Sequence, residues 1–140
     1  GYDYVLMIDS DTIVPKDALK NLLDPQADIV MGCCPKKNTK SKEYPLCRVQ
    51  SPELKPCLTA DDLQGEERIG IQVGGFACAL VKTEVFTYMS YPYFKYMEYE
   101  NRNILSEDYY FCLEAIGRGY EIWADPRVKC GHQIKGYQYE

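Results

Sequence analysis

The sequence lacks what a membrane span or a nucleic-acid binder needs. No run in its 140 residues approaches the roughly 20 consecutive apolar residues of a spanning helix. Lysine and arginine number 16 against 21 acids, for a net charge of -5, whereas a phosphate backbone calls for a basic face. Nucleic acid is therefore not expected as a partner, although a nucleotide held through a metal ion stays open. There is one histidine, and no two cysteines show C-x-x-C spacing, which argues against a zinc site. No internal repeat and no signal-peptide pattern is visible. The chain starts at Gly1 without methionine, so a segment upstream is expected.

What remains fits one globular domain: 46% hydrophobic, 26% charged, and long enough for its own core. The seven cysteines are odd in number, so at least one is unpaired within a monomer. Cys33, Cys34, Cys78 and Cys112 sit in apolar surroundings, where free cysteine behaves as a small hydrophobe. We read the cysteines as reduced and the protein as cytoplasmic, in solution or at the inner face of a membrane. Cys47 and Cys57 bracket a loop and are the best disulfide candidates if that reading fails.

The pattern predicts a buried strand over residues 3–9, then a helix over Pro15–Leu23 with Pro15 at its first position. A second buried strand is predicted over Asp28–Cys34. A polar stretch from about Pro35 to Arg68, with five lysines and four prolines, reads as a long loop insertion. Gln72–Lys82 reads as strand broken at Gly74-Gly75, and Thr83–Met89 as a short helix. Tyr91–Tyr99 is aromatic and irregular. Ser106–Arg118 reads as a helix with Ser106 as N-cap and Gly119 near its end. Tyr120–Ala124 is a closing strand, and Arg127–Gln133 a short strand or loop. The alternation predicts an α/β protein with a three-layer mixed sheet.

Chemistry concentrates at a few positions. The apolar run Tyr4–Ile8 ends in Asp9-Ser10-Asp11. Two carboxylates at a strand end are costly unless compensated, and a hard divalent cation is the simplest compensation. In a strand, residues two apart face one side, so both could converge on one ion. The bland reading is a turn, since Asp and Ser favour turns. Glu107 and Asp108 fall in a first helical turn, where acids complement the helix dipole or stand ready as a general base. His132, the lone histidine, is either structural or a ligand completing the aspartates. Gly74-Gly75 marks a bulge or a close approach to backbone. The tyrosines and Phe94 between Tyr88 and Tyr99 read as core or contact surface, or as a pocket for a sugar or base.

In their order along the chain these segments resemble the GT-A fold nucleotide-sugar glycosyltransferases, in particular glycosyltransferase family 2. Gly1–Pro15 looks like that family's strand, D-x-D motif and following turn. Gly74-Gly75-Phe76-Ala77-Cys78-Ala79-Leu80-Val81-Lys82 looks like its Gly-rich acceptor-side strand. Ser106-Glu107-Asp108-Tyr109-Tyr110-Phe111 looks like its E-D motif, and the Trp123 strand with His132 like the region that returns a histidine to the metal. The resemblance implies transfer of a sugar from a nucleotide-diphosphate donor to an acceptor hydroxyl. Asp9 and Asp11, with His132 as third ligand, would hold Mn²⁺ or Mg²⁺. Asp108 would be the general base of an inverting transfer, with Glu107 beside it, or would position the acceptor in a retaining one. Ser10, Gly74, Gly75, Phe76 and Trp123 would lie at the substrates. The family's nucleotide-binding N-terminal half has no counterpart before Asp9. The chain is thus expected to be the C-terminal portion of such a domain, or to be completed by a second copy.

Two other readings compete. A haloacid dehalogenase-type phosphatase also begins with an apolar strand and D-x-D, but expects threonine two residues after the second aspartate. Here Thr12 follows Asp11 directly, and Asp61-Asp62 follows no apolar strand. The other is a truncated binding or assembly module without catalysis.

Overall fold

The computed structural model describes residues 1–37, 43–50, 53–134 and 137–139, with backbone alone for 49–50, 53–56, 101, 134 and 137–139. The chain is a mixed α/β protein. Its strands are β1 Tyr4–Ile8, β2 Thr12–Ile13, β3 Ile29–Cys33, β4 Glu43–Gln50, β5 Glu53–Thr59, β6 Ile69–Ile71 and β7 Val73–Gly74. There follow β8 Cys78–Lys82, β9 Met97–Tyr99, β10 Asn103–Leu105, β11 Ile122–Lys129, β12 Gly131–Ile134 and β13 Tyr137–Tyr139. The helices are α1 Ala18–Leu23, α2 Thr83–Tyr88 and α3 Glu107–Gly117.

The central sheet has the order β1-β8-β3-β11-β6. Only the β3–β11 pair is parallel; β1–β8, β8–β3 and β11–β6 are antiparallel. Side chains alternate across it as strand geometry requires. Ile29, Met31 and Cys33 of β3, with Ala79 and Val81 of β8, face one core, closed by Val85 of α2 and by Phe111, Cys112 and Ala115 of α3. Val30 of β3, with Cys78 and Leu80 of β8, faces the other, closed by Ala18 and Leu22 of α1. Helices therefore cover both faces. Phe111 anchors the larger core, stacked on Phe94 at 4.8 Å and edge-on to Phe76 at 5.0 Å.

Several expectations are corrected. The D-x-D strand is not buried: β1 is an edge strand, and Val5, Leu6 and Ile8 are exposed. Pro15 is not at the first helical position; α1 begins at Ala18, whose N–H bonds the Pro15 carbonyl at 3.0 Å. The supposed loop 35–68 holds the β4–β5 hairpin, which pairs through β4 with β7 and buries Leu46, Cys47 and Leu58. Residues 38–42, within the lysine-rich part of that stretch, lie outside the described residues. Part of the aromatic segment is ordered as a β9–β10 ribbon. The closing strand is longer than expected and lies inside the sheet, between β3 and β6. Helix α3 matches its signals: the Ser106 hydroxyl accepts from the Tyr109 N–H at 3.4 Å, and Gly119 follows at φ +90°.

A buried ion cluster ties these parts together. The Asp125 carboxylate, on β11, is fully buried. It accepts from Arg68 Nε at 2.9 Å, and from Arg127 Nε at 3.0 Å and Nη2 at 2.8 Å. The same guanidiniums take the carbonyls that end α1: Arg68 donates to Asn21 and Leu22, and Arg127 to Asn21 and Asp24. Burial pushes the Asp125 carboxyl up, but hydrogen bonds from Arg127 and Arg68 outweigh it and hold it below the ordinary carboxylate value. Its contribution to stability is present above that ordinary value and fades as pH falls through the depressed one. Removing one member of a buried ion cluster strands the others, at a cost of about 3 kcal/mol or more. Asp125→Ala is therefore expected to lower unfolding free energy by about that amount in urea titration. A loss no larger than that of an exposed acid would show the cluster to be dispensable.

Candidate functional site

The β1 strand stops at Ile8, and Asp9-Ser10-Asp11 is a turn closed by the Thr12 N–H on the Asp9 carbonyl at 3.0 Å. Strand alternation therefore does not place the two carboxylates. The turn does, and neighbouring strands pin it on both sides. The Asp9 N–H donates to the Ala77 carbonyl at 3.0 Å, ahead of β8. The Asp11 carbonyl accepts from the Gln133 N–H at 2.8 Å, on β12.

His132 arrives through that second contact. β12 pairs antiparallel with β2, and His132 sits opposite Thr12, one residue from Asp11. It is buried. Asp11 forms an ion pair and hydrogen bond with Lys37. That ammonium holds the Asp11 carboxyl below its ordinary value, partial burial opposes it, and the charge of His132 adds slightly to the lowering. A cationic head group thus already stands against the second aspartate of the D-x-D.

Asp108 approaches from α3. Its Oδ2 accepts from the Phe76 N–H at 3.1 Å. Burial pushes its carboxyl up; the Phe76 hydrogen bond opposes this, and the charges of Glu107 and Asp9 add to the rise. Asp9 and Asp108 therefore share one electrostatic environment. Glu107 engages the Tyr96 hydroxyl, which it pushes toward its neutral form.

The two glycines do different things. A Cβ on Gly74 would fall onto the Met31 sulfur and come within 3.0 Å of Leu46, so core packing requires this glycine. A Cβ on Gly75 would stand 3.9 Å from Asp108 Oδ2 and 3.4 Å from Pro45, ordinary contact distances, so this glycine lies beside Asp108 without packing demanding it. Phe76 offers the site its N–H while its ring lies in the aromatic core. Ser10 is exposed within the turn.

Trp123 does not join them. It pairs with Val30 on β3, covers Gly70, and lines a cleft of about 420 Å³ with Asp28, Arg68 and Lys82. Lys82 is paired with Tyr4, the start of β1, so this cleft opens at the end of the sheet opposite Asp9. Two features carry no signal in the sequence: Lys37 on Asp11, and the β11 register break between Asp125 and Lys129 that precedes His132.

The donor chemistry of Asp9, Asp11 and His132 suits a divalent cation, and the Lys37 ammonium marks where positive charge is favoured. Among the described residues, no three His, Cys, Asp or Glu side chains are already gathered into a metal cluster. No described helix is long and apolar enough to cross a membrane.

No protein-family profile matches the chain, and no curated protein matches it in sequence. The fold is similar to that in the crystal structure of A197 from STIV, with a TM-score of 0.63 and 16% identity. The likeness covers 96% of this chain but 60% of that one, and at this identity it concerns the fold alone.

Because Asp108 is raised, the folded chain holds its proton to higher pH than the unfolded chain does. Stability from this group is thus lost as pH rises from the ordinary value of 3.8 through the folded one. Asp108→Asn cannot titrate, so its stability relative to wild type is expected to increase as pH rises above the ordinary value of 3.8. Urea midpoints measured at rising pH check this, and a constant or shrinking gap would refute the assignment.

Proposed function

We propose that the chain is the C-terminal portion of a GT-A-type, family 2-like glycosyltransferase that moves a sugar from a nucleotide-diphosphate donor to an acceptor hydroxyl. What supports this is that the Asp9-Ser10-Asp11 turn is bonded on one side to Ala77, next to the Phe76 N–H that Asp108 accepts, and on the other to the β12 strand that carries His132. Asp9, Asp11 and His132 would hold Mn²⁺ or Mg²⁺. Bound there, the ion neutralises charge on the leaving diphosphate as a Lewis acid.

The chain's own residues supply the rest. Asp108 takes the acceptor hydroxyl proton, a role favoured by burial that raises its basicity. The Phe76 N–H fixes the carboxylate through Oδ2, and Gly75 lies beside it. Glu107 adds negative charge beside the base and is itself steadied by Tyr96. Lys37, which pairs with Asp11, would compete with a bound cation for that carboxylate and would be placed to meet a phosphate oxygen. The residues assigned here serve the diphosphate and the acceptor and none is assigned to the nucleotide base, so weak donor affinity is expected.

The competing reading is a non-catalytic binding or assembly module. Mn²⁺ separates the two readings. At saturating Mn²⁺ the wild-type melting temperature is expected to rise by about 5 °C, and that of Asp11→Ala to stay fixed. An unchanged midpoint in both proteins would overturn the metal site. Calorimetry with Mn²⁺ and a panel of nucleotide-diphosphate sugars is expected to show affinity weaker than micromolar. Micromolar binding would contradict that expectation.

A further inference from the structure

The β4–β5 hairpin carries a feature that the proposed transfer chemistry does not use. Cys47 and Cys57 are directly opposed in the ladder, and their sulfurs lie 3.4 Å apart. Directly opposed antiparallel residues have Cα atoms about 4.5 or 5.5 Å apart, and both values suit a disulfide. The two sulfurs need only close to about 2.05 Å.

The two thiols differ in access. Cys57 is half-buried, whereas Cys47 is buried. The Lys36 ammonium, itself paired with Glu43 at 3.5 Å, hydrogen-bonds the Cys57 sulfur and so places positive charge on the accessible member. Cys47 is flanked by Cys57 and by the Tyr109 hydroxyl at 3.6 Å. The rival cluster, Cys34, Cys78 and Cys130, is buried in the second core out of reach of an oxidant.

We propose that Cys47 and Cys57 are a thiol pair built to close reversibly into an intramolecular disulfide when a small disulfide oxidant reaches the chain. Cys57 attacks the oxidant RSSR, forming a mixed disulfide and releasing one RSH. Cys47 then attacks the Cys57 sulfur, passes its proton to the departing thiolate, and releases the second RSH. Two protein thiols are oxidised and one RSSR is reduced to two RSH. The bond would lock β4 to β5 beside Gly75, whose N–H is held by the Pro45 carbonyl at 2.9 Å.

The test uses the full reduced chain incubated with oxidised glutathione, with free thiols counted and peptides mapped by mass spectrometry. Two of the seven thiols are expected to disappear, in a Cys47–Cys57 cross-linked peptide that dithiothreitol reopens. Cys57→Ser and Cys57→Ala, checked for folding by circular dichroism, are expected to form no intramolecular bond, while Cys34→Ser still forms it. Seven thiols remaining, glutathione lodged on Cys57 without the second step, or cross-links among Cys34, Cys78 and Cys130 would each overturn the proposal.

Discussion

Much of the molecule hangs on the Asp125 carboxylate. Fully buried, it is held by two arginines that also finish α1. A buried charge of this kind persists only when paired and hydrogen-bonded. Here the pairing has a geometric consequence. The register between β11 and β3 breaks between Asp125 and Lys129, at the residues the arginines clamp. Beyond the break Lys129 pairs once more with Cys33 of β3, and the chain then continues as β12, which lies against β2. His132 reaches Asp11 by this route. The cluster thus ties the end of α1 to β11 through one set of hydrogen bonds, just ahead of the strand that carries His132.

The site joins two opposite electrostatic solutions. Asp11 is ionised and satisfied by a cation, Lys37. Asp108, half-buried and near two other acids, is pushed toward its protonated form. On the proposed reading, Asp11 would hold positive charge and Asp108 would move a proton. The edge position of β1 leaves this arrangement open toward solvent along Val5, Leu6 and Ile8.

The elements legible in the sequence were those with local signals. The β3 run is apolar at every position because both of its faces are covered. The α3 cap is written in Ser106 and Gly119. The β4–β5 hairpin was illegible because its strand pattern is broken by Pro45 and Pro56, and its burial depends on β7, far along the chain. Gly74 and Gly75 are adjacent and indistinguishable in sequence; only their neighbours, Met31 for one and Asp108 for the other, tell them apart. Arg68 and Asp125 lie 57 residues apart, with no periodicity linking them. Trp123 was placed at the substrate by resemblance; in the ladder it stands level with Val30, Leu80 and Leu6, three strands across the sheet from β1.

The central claim is that Asp9, Asp11 and His132 share one divalent cation. Crystals of the chain grown with Mn²⁺, with anomalous data collected at the manganese edge, test it most directly. The account predicts a single strong peak touching the Asp11 carboxylate and the His132 imidazole, with Lys37 turned away from Asp11. No peak at the turn, or a peak elsewhere with Lys37 still on Asp11, would contradict it.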